Sequence, residues 1–124
     1  MTLVAKYRYR PRAGAIFAFR RVTVEGSSME PTLAPGDRLL LFPAWGLRVG
    51  DIVAVPDPRD RGRLLVKRVR SLDHGQNLVT VEGDNPDQST DSRVFGPVPR
   101  RSVVGRAVYR YAPAAGAGPV GGAG

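Results

Sequence analysis

Short apolar runs separated by turn formers set the pattern of this chain. In order they are Arg21-Val22-Thr23-Val24, Arg38 to Phe42, Ile52-Val53-Ala54-Val55, Leu64 to Arg70, Leu78 to Glu82, Val103-Val104 and Ala107-Val108-Tyr109. Each reads as a strand, and the turn signals between them are strong. Gly-Asp pairs at 36–37, 50–51 and 83–84 each open a hairpin. Pro56 to Arg63 is a charged hairpin tip, and Ser71 to Asn77 is a hairpin loop. Pro43 to Leu47 is irregular, with Trp45 expected as a plug for the core. The expected fold class is all-β.

The ends differ from this pattern. Residues 1–19 form a basic arm, with Lys6, Arg8, Arg10 and Arg12 set among Tyr7 and Tyr9. It is read as an edge strand or frayed arm rather than a base-stacking element. Ala13 to Phe19 is apolar but far short of the roughly 20 residues of a spanning helix. Arg20 and Arg21 follow it with no small-residue cleavage site, so neither a membrane span nor a removed leader is expected. The run is taken instead as strand continuing into Val22 and Val24. Residues 20–111 form the domain. Residues 112–124 are Ala, Gly and Pro with one interruption, Val120, and no charge, and are expected to be a disordered tail.

Composition narrows the chemistry. With 124 residues the chain holds one domain, and Gly 15 and Pro 11 favour a turn-rich β protein. The net charge of +8 would steer it toward nucleic acid, an anionic membrane face or acidic peptides, or serve solubility alone. Cysteine is absent, which removes disulfides, thiolate nucleophiles and Cys-based metal sites. His74 is the only histidine, so a Ser-His-Asp triad would have to use it. It lies among Asp73, Gly75, Gln76 and Asn77, all turn formers, and reads as exposed loop. A lone histidine without cysteine also argues against zinc. No cofactor and no metal are expected.

Three stretches carry candidate chemistry. The first is Glu25-Gly26-Ser27-Ser28-Met29-Glu30-Pro31-Thr32-Leu33. A small residue and a proline around Ser28 suit a serine on a rigid, exposed bend. A serine-rich turn without chemistry fits the same residues. The second is the strand Leu64 to Arg70. Alternation puts Leu65, Lys67 and Val69 on one face. If that face is the core, Lys67 points inward, desolvation lowers its pKa, and a neutral amine could deprotonate a serine. A lysine snorkelling from a strand edge is the plainer alternative. The third is Gly83-Asp84-Asn85 through Val98. It is a stiff loop in which Asp91 and Arg93 can pair across a bend and Ser89 can reach into a site.

Taken together, these stretches resemble the serine, lysine and C-terminal boxes of type I signal peptidases, in order and rough spacing, over about residues 20–108. Within that family the run Val81-Glu82-Gly83-Asp84-Asn85-Pro86, followed by Ser89-Thr90-Asp91-Ser92-Arg93 and Gly96-Pro97-Val98-Pro99, is most similar to nickel-type superoxide dismutase maturation proteases. The resemblance implies coiled antiparallel sheets forming a small open barrel. It implies Ser28 as nucleophile, Lys67 as general base, Ser89 as the hydroxyl orienting the lysine, and Asp91 with Arg93 as a supporting ion pair. It also implies a precursor polypeptide as substrate, a nickel superoxide dismutase proprotein above all. Gly26 stands where some signal peptidases carry a serine that donates to the oxyanion, so that role would fall to backbone N–H groups. The family's membrane anchor has no counterpart beyond Ala13 to Phe19. That departure points to a cytoplasmic enzyme, or one held peripherally at a membrane. General signal-peptide processing, a self-cleaving repressor-type domain and a basic, non-catalytic β module binding nucleic acid are the rival readings. A repressor-type domain would need a DNA-binding helical module, which the chain lacks. Nucleic acid is not the expected partner.

Overall fold

The computed structural model describes residues 2–3 and 20–121. Along the chain run β1 (Thr2–Leu3), β2 (Arg20–Thr23), β3 (Arg38–Phe42), β4 (Ile52–Asp57), β5 (Asp60–Asp73), β6 (Leu78–Glu82), β7 (Val98–Pro99), β8 (Gly105–Ala112) and β9 (Gly118–Pro119). One short helix, α1 (Ser92–Phe95), and single 3-10 turns complete the elements. The strands form one sheet in the order β1-β2-β3-β8-β4-β5-β6-β7, with β9 on β8. Every pairing is antiparallel except β1 with β2, and the sheet does not close on itself. The all-β expectation holds.

Two hydrophobic cores lie on opposite sides of the β4–β5 pair. Ile52, Ala54 and Leu64 face one core, with Val22, Met29, Leu33, Leu39 and Leu41. Val53, Val55, Leu65 and Val69 face the other, with Leu47, Val79, Val81 and Val98. Strand side chains alternate between faces, so a strand covered on both sides has no polar positions to spare. This is why Ile52-Val53-Ala54-Val55 reads as an unbroken apolar run.

Strand β5 is longer than its apolar segment. It spans 14 residues and takes in Asp60–Arg63 and Ser71–Asp73 of the two expected loops, leaving turns at Pro58–Arg59 and His74–Asn77. The charged positions Arg61 and Arg63 stay exposed in a register shift between the Asp57–Asp60 and Pro56–Leu64 pairs with β4. A polar sequence is no bar to a strand where its side chains reach water. Asp57 fixes the tight turn by accepting from Arg59 N at 2.9 Å and from the Arg59 guanidinium at 3.1 and 3.0 Å. The Gly-Asp pairs at 36–37 and 50–51 precede β3 and β4, but Gly83-Asp84 closes β6 instead of opening a hairpin.

Two expectations are corrected here. Trp45 is 58% exposed, and Leu47 fills the core position beside it, 5% exposed. The Ala/Gly/Pro tail is ordered through Gly121. Gly118 and Pro119 pair with Arg110 and Tyr109, Arg110 Nε donates to Gly116 O, and Val120 packs against the first core. Composition misled because this segment orders by backbone pairing, for which small side chains are no hindrance. Gly118 and Pro119 thus form a short strand on β8 past residue 111. The basic arm and the run Ala13 to Phe19 lie outside the described residues, apart from the β1 backbone.

Truncation after Ala112 removes β9 and the Val120 contact. It should lower Tm by several degrees, the effect of losing about 1 kcal/mol or more in a domain this size. An unchanged Tm in a thermal melt would mean that the tail contributes nothing.

Candidate active site

The serine turn is anchored from both ends. Val24 N donates to Asp37 O at 2.8 Å and Gly36 N donates to Val24 O at 2.9 Å, which carries β2 one residue past its end. Gly26 then takes φ +72°, a conformation that side chains disfavour. Met29 and Leu33, at 1% and 0% exposure, pin the far side in the first core. Ser28 is half-buried, one residue before that anchor.

The Gly83-Asp84-Asn85 turn holds the serine turn directly. Asn85 N donates to Ser28 O at 2.8 Å, and Asn85 Nδ2 donates to Ser27 O at 3.0 Å. Thr32 Oγ1 donates to Asp84 Oδ2 at 2.5 Å. Asp84 in turn accepts both arms of the Arg68 fork, from Nε at 2.9 Å and a terminal nitrogen at 2.8 Å. That fork, against the cost of burial, keeps the Asp84 carboxyl below the usual carboxylate range. Arg68 also donates to Gly50 O at 2.7 Å, tying β5 to the turn before β4. Gly83 itself leaves no room: a Cβ there would stand 2.6 Å from Ser28 O and overlap the Ser89 side chain.

Lys67 points inward. It is 3% exposed on the β5 face shared with Leu65 and Val69. Its Nζ donates to Ser89 Oγ at 2.9 Å, and Ser89 Oγ donates to Asp91 Oδ2 at 2.5 Å. Asp91 is fully buried and saturated. It accepts from Gly83 N at 2.8 Å, from Arg93 N at 3.1 Å, and from the Arg93 guanidinium at 2.9 and 2.6 Å. Burial alone would raise the Asp91 pKa. The Arg93, Ser89 and Gly83 donors outweigh it and hold the carboxyl far below its ordinary range. Burial pushes Lys67 down to about 8 from 10.5; the Arg63 and Arg93 charges add to this, and Asp91 and Asp57 oppose it.

Ser28 and Lys67 line one groove of about 140 Å³, walled by residues 22–28 and 63–67 and by Gln88 and Thr90. Among the described residues no hydrogen bond joins Ser28 to Lys67; the lysine's bond goes to Ser89. Ser89, Asp91 and Arg93 thus form one connected chain with Lys67, while Ser28 reaches it only through the shared groove. His74 is exposed on the β5–β6 turn. Among the described residues no cluster of His, Asp or Glu could hold a metal ion. Sequence reasoning missed Asn85 and Thr32 as clamps on the serine turn, and Arg59 and Arg63 as groove residues. Nothing in their spacing marks them; only the folded register does.

The family described as signal peptidase, peptidase S26, matches residues 12–77 and 71–112. The chain is 33% identical over 139 residues to the mitochondrial ATP-independent inner membrane protease subunit 1a of Arabidopsis thaliana, covering 91% of this chain and 82% of that protein. It is 32% identical to the mitochondrial inner membrane protease subunit 1 of Homo sapiens, covering 74% of this chain and 69% of that one. It is 36% identical to subunit 2 of Mus musculus, covering 60% and 57%. The chain belongs to the S26 signal peptidase family, a family of peptidases.

These relatives overturn the cytoplasmic expectation, since their names put them at an inner membrane. The inference failed because it leaned on the shortness of the apolar run Ala13 to Phe19, which lies outside the described residues. No helix among the described residues is long and apolar enough to cross a membrane. The narrower likeness to nickel superoxide dismutase maturation proteases gains no support from these relatives.

A lysine with a lowered folded-state pKa costs stability wherever the unfolded chain holds a proton that the fold resists. For Lys67 the cost is full below about pH 8 and is relieved as pH rises toward 10.5. Lys67→Met should therefore stabilise the protein at pH 7 by an amount on the order of 3 kcal/mol. The gain should shrink as pH approaches 10.5. Urea melts of both proteins at several pH values check this, and a pH-independent difference would refute it.

Proposed function

We propose that this chain is a serine endopeptidase in which Ser28 is the nucleophile and Lys67 the general base, cutting an N-terminal extension from a precursor protein. The observation that carries the reading is the buried Lys67, held by Ser89 in the groove that Ser28 also lines. At pH 7.5 a lysine at its reference pKa of 10.5 is neutral about one time in a thousand; at about 8 it is neutral roughly a quarter of the time.

The steps follow from that neutral amine. Ser89 commits its proton to Asp91, so its oxygen accepts from the lysine. One N–H of neutral Lys67 is thereby directed, and the lone pair stays free. Lys67 Nζ takes the Ser28 Oγ proton as Oγ bonds to the scissile carbonyl carbon. The C–N bond then breaks, the ammonium returns that proton to the leaving amine, and an acyl-enzyme remains. Water attacks the ester, giving its proton to Lys67; the ester C–O bond then breaks, and the ammonium returns that proton to Ser28 Oγ. The developing oxyanion is served by backbone N–H groups, chiefly that of Ser28, because Gly26 has no hydroxyl.

The substrate would bind extended. Residues 64–66 of β5 pair with β4 on one side, and β6 joins the other edge only from Arg68 onward. Among the described residues the edge beside the groove has no strand partner, and a peptide can add there as a strand. The inner-membrane relatives and the +8 charge favour precursors presented at an anionic membrane face. A nickel superoxide dismutase proprotein is the narrower substrate reading; it rests on the run from Val81 to Pro99 alone.

Purified protein should be incubated with a signal-bearing membrane precursor and, separately, with a nickel superoxide dismutase proprotein. Cleavage of the first alone would retire the narrower substrate, and cleavage of neither would overturn the peptidase reading. On the precursor that is cut, Ser28→Ala should lose at least about 1,000-fold in kcat while Ser27→Ala keeps activity. Lys67→Arg should be inactive, because a guanidinium does not deprotonate in a protein. An active Lys67→Arg enzyme would remove Lys67 from the mechanism.

A further inference from the structure

The charges of the groove do not cancel. Arg59 and Arg63 both stand on its β5 side. Arg59 is matched, since both arms of its guanidinium lie on the Asp57 carboxylate. Lys67 is directed at Ser89 and has lost much of its charge by pH 8. Arg63 is exposed, and among the described residues no carboxylate lies within ion-pair distance of it. Glu25 lines the opposite wall without pairing to it. The groove therefore offers one cation without an ion-pair partner among the described residues, on the wall where a peptide strand would add.

Register says what that cation would meet. Arg63, Leu65 and Lys67 line the same groove, with Arg63 just before Leu64, where the regular pairing of β5 with β4 begins. Arg63 lies four residues before Lys67, about 13 Å at about 3.3 Å per residue. A peptide extended along this edge has the same repeat. The residue beside Arg63 is then about four positions from the one opposite Lys67.

We propose that Arg63 is a specificity residue: it selects precursors carrying an acidic side chain about four positions from the scissile bond, on the part of the substrate that lies along β5. This rests on the peptidase reading above and names a substrate feature which that reading leaves open. The pair would form at a partly exposed site, so the preference is modest, about fivefold in kcat/KM. It should weaken in high salt, which screens such pairs.

The test is a positional scan. Peptides spanning the cleaved bond of a precursor carry Ala, Asp or Lys singly at each of about five positions on either side, and kcat/KM is measured for wild type, Arg63→Gln and Arg63→Glu. Wild type should prefer Asp over Ala at one position about four residues from the bond. Arg63→Gln should lose that preference, and Arg63→Glu should prefer Lys there instead. Both substitutions fall on an exposed side chain, and Arg63→Gln serves if the charge reversal fails to fold. Cleavage by wild type but not by Ser28→Ala, with no acidic preference, overturns the role of Arg63 and leaves the peptidase reading standing. So does a preference that survives in Arg63→Gln or Arg63→Glu. If wild type cleaves no peptide in the scan and no precursor, both proposals fall.

Discussion

Everything in this site depends on holding a lysine amine where water cannot solvate its charge. A bare ammonium buried among Leu65 and Val69 would be expelled or would unfold the strand. The chain Lys67–Ser89–Asp91–Arg93 prevents both. Ser89 gives Lys67 a neutral hydrogen-bond partner, so direction is supplied without a full counter-charge in contact. Asp91 polarises that hydroxyl, yet its own charge is absorbed by Arg93 and by the N–H of Gly83. An Asp91 bonded straight to Lys67 would have raised its pKa and removed the base. Moving the acid one hydroxyl away leaves burial as the larger effect, and a substantial fraction of the amine is neutral near pH 8.

The fold serves that arrangement. β4 and β5 separate two cores, and the Lys67 face of β5 belongs to the second. The serine turn belongs to the first, through Met29 and Leu33. The two meet only at the sheet's side, where the Gly83-Asp84-Asn85 turn fastens them together. Gly83 is the tightest point of that junction, with Ser28 O on one side and Ser89 on the other. A side chain there would have to push the serine turn away from the lysine's hydroxyl partner.

Much of this was legible in the chain. Strands β3 and β6 begin and end at the residues where their apolar runs do, because turn formers flank both. The inward face of Lys67 follows from period-two alternation, and Ser89, Asp91 and Arg93 were legible as a stiff, self-bonding loop. What was not legible depends on pairing between distant segments. β5 extends through charged residues because β4 and β6 offer partners, which its own composition does not reveal. Trp45 yields the core to Leu47, and the tail is ordered by the β8 edge rather than by apolar side chains. The links from Asn85 to Ser27 and Ser28 span more than 50 residues, and no local pattern announces them.

The central claim is that Lys67 is a depressed-pKa amine and not an ordinary ammonium. It can be read directly by NMR titration of the lysine side-chain resonances. Using Ser28→Ala protein removes turnover and self-cleavage from the sample. Lys67 should be identified by its loss in Lys67→Met. A Lys67 midpoint near 8 is expected, well below the reference value of about 10.4. A Lys67 midpoint at or above 10 would contradict it, since burial would then not have neutralised the amine that the mechanism requires.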